Sequence, residues 1–112
     1  MSYYGSPLNE FVANNCKKKM IVMNIDLAMY DKVKKKIRII ESKHETEFIG
    51  KSQREFLKLL PDLFNNSGEY TTEVFIVRGN PPYTFAMIED VVTDQKKIVN
   101  RAELIRFLNF EE

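Results

Sequence analysis

A chain of 112 residues, 44% hydrophobic with eight Phe, suits one domain with a core of its own. Charged residues make up 29%, yet the formal net charge is only +1, which excludes a polybasic nucleic-acid protein on total charge. The single cysteine, Cys16, excludes an internal disulfide, and no apolar run approaches the ~20 residues of a membrane-crossing helix, so a reducing, cytoplasmic setting without a membrane is expected.

The opening MSYYGSPLNEF lacks the basic and apolar regions of a signal peptide. Residues 1–19 read as an N-terminal segment with one short helix at 7–14. Ser6 is its cap, Pro7 takes the first turn, and Leu8, Phe11 and Val12 share a face. Residues 20–112 read as a single α+β domain with repeat-like halves at 20–64 and 70–110. Met20–Leu27 alternates as a strand. Tyr30–Glu41 fits a helix or a strand, and the β-branched IRII favours the strand. Ser42–Thr46 is then a hairpin turn and Glu47–Ile49 a short return strand. Ser52 and Glu55 have the spacing of a capping box, with Phe56, Leu59, Leu60 and Leu63 behind them at helical spacing. Pro61 sets the expected end of that helix near Leu60. Asn65-Asn66-Ser67-Gly68 is a linker.

In the second half, Thr71–Arg78 is rich in β-formers and Gly79-Asn80-Pro81-Pro82 breaks it. Tyr83–Asp90 is apolar on both faces through Phe85–Ile88, the pattern of a covered central strand. Lys97–Val99 is a last short strand, and Asn100 caps a final helix with Glu103 three residues on. Each half therefore reads β-β-β-α, giving a mainly antiparallel sheet and two capped helices. A shift of 48 positions sets Ile40 on Ile88, Glu41 on Glu89, Glu55 on Glu103 and Leu60 on Leu108, which suggests an internal duplication.

In element order, over roughly residues 20–108, the chain resembles the PUR-type repeats of purine-rich-element-binding proteins and the related Whirly-like single-strand binders. That resemblance implies single-stranded nucleic acid held on a curved sheet. It carries no specific motif, so it assigns no residue a role.

The residues suggest three kinds of chemistry. First, residues 1–56 hold 11 basic and 7 acidic side chains, a net +4, and residues 57–112 a net −3, so an anion-binding surface belongs in the first half. On a strand, Lys34, Lys36 and Arg38 would form a cationic row about 6–7 Å apart. With Lys43, Arg78 and the ring of Tyr83 they make the candidate nucleic-acid-binding set, and Tyr30 is a further ring suited to stacking. The competing reading is an edge strand whose lysines prevent aggregation, or that pairs in a homodimer. Second, the basic strand and acidic second half suit a protein-interaction factor, such as a small viral or mobile-element protein that docks on a host enzyme. Third, Glu41-Ser42-Lys43, ten residues after Asp31, resembles the Asp…Glu-x-Lys arrangement of restriction-endonuclease-like nucleases, where two carboxylates hold a divalent ion and the lysine helps orient water. His44 and Cys16 are single and distant, so no zinc set or nucleophilic triad forms, and no glycine-rich phosphate loop is present. The expectation is a non-enzymatic binding module without metal or cofactor. A regulatory, transcription-associated nucleic-acid binder leads, the protein-interaction factor follows, and the Glu-x-Lys nuclease is the remote alternative.

Overall fold

Two aspartates shape the sheet. Asp31 Oδ1 accepts hydrogen bonds from the amides of Val33 and Lys34, both at 3.0 Å, and Lys35 completes the turn at φ +56°. Asp90 Oδ1 does the same for Val92 and Thr93, at 2.9 and 3.2 Å, with Asp94 at φ +62°. Such side-chain acceptors replace the backbone bonds that a turn leaves unmade. They fix the two hairpins in a computed structural model that describes residues 7–15, 25–65 and 68–112. Cys16, Lys17–Lys19 and most of the expected strand at Met20–Leu27 lie outside the described residues.

The elements run α1 (Pro7–Asn15), β1 (Leu27–Asp31), β2 (Lys36–Lys43), α2 (Lys51–Asn65), β3 (Thr71–Arg78), β4 (Phe85–Asp90), β5 (Lys96–Asn100) and α3 (Arg101–Leu108). The five strands form one sheet in the order β1-β2-β3-β4-β5. β1/β2, β3/β4 and β4/β5 are antiparallel, while β2 and β3 are parallel, joined through α2. The fold is α+β and mostly antiparallel, as expected. The first half, however, shows two strands before its helix among the described residues. Residues 47–49 form no strand; the chain there carries β2 over to α2.

Alternation along the strands divides the core in two. Ile39, Val74 and Ile76 point to one face, where Leu57 and Leu60 of α2 cover them with Ile49 and Val91. Ile40, Phe75, Val77, Ala86, Ile88 and Val99 point to the other, under Leu104 and Phe107 of α3. The covered central strand is therefore β3, whose Val74–Val77 run is buried throughout, and not Phe85–Ile88. Phe85 is 65% exposed, because α2 does not extend over β4 at that end.

Two boundaries differ from expectation. α2 continues through Pro61 to Asn65. Proline costs a helix one hydrogen bond and adds a clash, but Pro61 is buried with Leu57 and Leu60, and packing against the sheet offsets that cost. α2 also starts before Ser52: the Arg54 amide donates to the Gly50 carbonyl at 3.0 Å, which places Ser52 inside the first turn rather than at the cap. Asn100 is the cap expected of it. Its side chain accepts from the Glu103 amide at 2.8 Å, and Glu103 accepts from the Asn100 amide at 2.9 Å.

Candidate functional site

The β1/β2 hairpin pairs Leu27 with Ile40, so the next residues outward, Asp26 and Glu41, come level at the open end. Asp26 Oδ2 accepts a hydrogen bond from the Ser42 amide at 2.9 Å, which ties it to the strand that carries the Glu-x-Lys sequence. Alternation sends Glu41 and Lys43 to the α2 side of the sheet. There the first turn of α2 lies over them, and Gln53 Nε2 donates to Glu41 Oε2 at 2.6 Å. Lys43 Nζ stands 3.4 Å from Glu41 Oε2 and 3.4 Å from Glu47 Oε2. Glu47 holds the following loop by accepting from the His44 amide at 3.0 Å, and that bond keeps its carboxyl below the usual range.

Glu41 is only 5% exposed. Burial pushes its carboxyl above the ordinary range, and the negative charge of Asp26 pushes it the same way; Lys43 and Gln53 offset this only in part. A second buried carboxylate shows the contrast. Along the sheet Glu41 is level with Ile76, and Ile76 with Glu89, so Glu41 and Glu89 flank one isoleucine on the same face. Glu89 is neutralised by Arg54, its Nη1 2.7 Å from Oε2. Glu41 has instead a lysine shared with Glu47 and a like charge beside it. A site of this kind attracts a cation.

Among the described residues no three His, Cys, Asp or Glu side chains gather as a metal set. Two carboxylates suit magnesium or manganese better than zinc. Magnesium takes one or two carboxylates and fills its octahedron with water and substrate phosphate oxygens.

The other candidates are distributed differently. Asp31 does not approach Glu41. It lies opposite Lys36 at the far end of the hairpin, five residues or ~17 Å from Asp26, where it makes the turn. The cationic row does not form on the surface. Lys34 lies in the turn and donates to the Phe110 carbonyl. Lys36 is half-buried. Arg38 is 2% exposed: it pairs with Glu73 at 2.8 Å and Glu112 at 2.5 Å, donates to the Phe107 carbonyl, and lies 4.5 and 4.4 Å from the ring centres of Phe107 and Phe110. β2 is an inner strand with partners on both sides, so the expected lysine-guarded or dimerising edge is not there. Arg78 stands beside Lys43 in the ladder and donates to the Glu47 carbonyl. Tyr83, at φ +61°, packs against the α3-side cluster. Tyr30 is occupied with Tyr70, their hydroxyls 3.0 Å apart.

The structure thus brings together Lys43 and Arg78 from the expected set, and adds Asp26, Glu41 and Gln53. No described helix is long and apolar enough to cross a membrane. Comparison with known protein families, with curated proteins and with solved structures finds no match for this chain.

Proposed function

We propose that the protein is a divalent-cation-dependent nuclease, with Asp26 and Glu41 as cation ligands, Lys43 as the residue that orients water and phosphate, and Gln53 as the residue that positions Glu41. The observation that carries this is the convergence of Asp26, Glu41 and Lys43 at one end of the β1/β2 hairpin. It supplies the aspartate that the Glu-x-Lys resemblance requires, at position 26 rather than 31. The raised carboxyl of Glu41 supports cation binding: its charged form is only partly compensated, and an ion would provide the rest. A bound divalent ion supplies a Lewis acid at the phosphoryl oxygen and lowers the pKa of an attached water.

The chain's own groups then have separable roles. Gln53 fixes the Glu41 carboxylate by its bond to Oε2. Lys43, held between Glu41 and Glu47, donates to the water or to a phosphate oxygen and offsets charge as the phosphorus gains a fifth ligand. The first turn of α2 is beside the same carboxylate, through the Gln53 bond, and a helix N-terminus favours a phosphate nearby. The cationic row Lys34, Lys36 and Arg38 does not support a surface nucleic-acid interface, because Arg38 is buried and paired.

The test is cleavage of labelled DNA and RNA oligonucleotides with magnesium or manganese. Activity should require the metal and disappear in separately purified Asp26→Asn, Glu41→Gln and Lys43→Ala proteins. Cleavage that survives Glu41→Gln, or wild-type protein that shows no metal-dependent cleavage, defeats the proposal.

A further inference from the structure

Beside the carboxylates the register builds a second row. Lys43 lies level with Arg78, Arg78 with Met87 and Met87 with Ile98. All four side chains are on the α2 side, since Val77, Ala86, Ile88 and Val99 take the other. Phe85, two residues before Met87, shares that side. α2 covers β3 but stops short of this corner, so Phe85 is 65% and Ile98 74% exposed. With Arg78, Met87 and Asn80 they line a depression of about 490 Å³. Adjacent strands are ~4.8 Å apart, so Met87 lies about 10 Å across the sheet from Lys43.

The depression has a cation on the side that faces Lys43. Arg78 borders the depression on the β3 side. The carbonyl of Pro82, in the lining, accepts a hydrogen bond from Arg101 at 2.9 Å. Among the described residues Glu45 is the one acidic member of the lining, and its carboxylate accepts from the Asn80 amide at 3.4 Å. An exposed ring and aliphatic floor beside Arg78 and Lys43 match the two parts of an unpaired nucleotide: the base stacks and the phosphate pairs. A base within a duplex has both faces already stacked and cannot lie on Phe85.

We infer that this shelf holds unpaired bases next to the phosphate at Lys43, so that the substrate is single-stranded nucleic acid. The cutting of that strand rests on the nuclease proposal; its binding does not. Phe85 and Ile98 take the bases, and Arg78 takes the phosphate between the shelf and Glu41.

The chain has no tryptophan, so Phe85→Trp makes a single fluorescent reporter at the shelf. In full-length Glu41→Gln protein, anisotropy with a single-stranded oligonucleotide should give tighter binding than with the matching duplex. Adding Phe85→Ala should weaken single-strand binding by about five- to a hundred-fold, with duplex affinity and the circular-dichroism melt unchanged. The Phe85→Trp protein should keep its affinity and be quenched by the single strand. Equal affinity for duplex and single strand, no effect of Phe85→Ala, or no quenching at saturation overturns the inference. Quenching and single-strand preference without metal-dependent cleavage would defeat the nuclease proposal and leave the shelf standing. Cleavage indifferent to Phe85 would do the reverse.

Discussion

At the scale of single residues, Glu41 and Arg38 represent opposite solutions to burying a charge. Glu41 is under-compensated, and its folded-state pKa lies above that of the unfolded chain. The folded protein therefore binds the proton more tightly, and stability falls as pH rises from the ordinary glutamate range, near ~4.3, through the raised value. Glu41→Gln should melt higher than wild type at neutral pH, with the two converging below about pH 4, in metal-free buffer by differential scanning fluorimetry. A Gln variant that melts lower at neutral pH would mean that the Lys43 contact outweighs burial and the Asp26 charge. Arg38 is fully compensated, by two carboxylates, a carbonyl and three rings. For Glu112, burial alone would raise the carboxyl, but the Arg38 hydrogen bond and charge hold it below the usual range. Removing the arginine empties a packed site and strands its partners. Arg38→Ala should cost about 3 kcal/mol in urea denaturation, and Arg38→Met, which refills the space, less than half of that. The position of Asp26 was within reach of the sequence. Once the turn is placed at Lys32–Lys35, the two members of every hairpin pair add to 67, and 41 calls for 26. Asp31 is not that partner, because an aspartate two residues before Val33 and three before Lys34 has the right spacing to make the turn itself.

At the scale of elements, capping was legible where the side chain meets its own helix. Asn100→Ala should cost about 1 kcal/mol, since it removes the side-chain acceptor of the Glu103 amide, while Ser52→Ala should cost a few tenths at most, because the helix has already begun at Ser52. Equal losses at the two sites, measured by chemical denaturation, would contradict this placement of the α2 start. The strands β3, β4 and β5 and the helix α3 follow from local pattern. Arg38 and Phe85 do not, because hydropathy assigns arginine outward and phenylalanine inward. The rings of Phe75, Phe107 and Phe110 come from distant parts of the chain and reverse the first assignment. The limited reach of α2 across the sheet reverses the second. Gln53 belongs to this scale too, since only the docking of α2 on the sheet brings it to Glu41. Its substitution by alanine should leave the fold intact and reduce metal affinity or turnover about 10- to 100-fold, as loss of a group that orients a ligand does.

At the scale of the whole molecule, the decisive feature is the single parallel pairing, β2 with β3. No local pattern announces it, because the two strands are separated by a 15-residue helix and meet only when that helix packs on the sheet. It makes both strands end at the same edge, at Lys43 and Arg78, and places the N-terminus of α2 above that edge. Ligands in α/β arrangements gather outside the carboxyl ends of parallel strands for the same reason. A cation at Asp26 and Glu41 would thus tie β1, β2 and, through Gln53, α2 into one unit. It would bind the folded chain and not the unfolded one, so it should stabilise the protein by RT ln(1 + [M]/Kd), about 2.7 kcal/mol at a hundred times Kd. The melting temperature at neutral pH should therefore rise with manganese or magnesium and return to its starting value on chelation. The rise should be lost in Asp26→Asn and in Glu41→Gln. It should also fade in wild type as the pH is lowered toward 4, where the proton competes for Glu41 before it competes for an ordinary carboxylate. A metal-induced rise of equal size in the Glu41→Gln protein would place the ion elsewhere on the surface and remove the carboxylate pair from the mechanism.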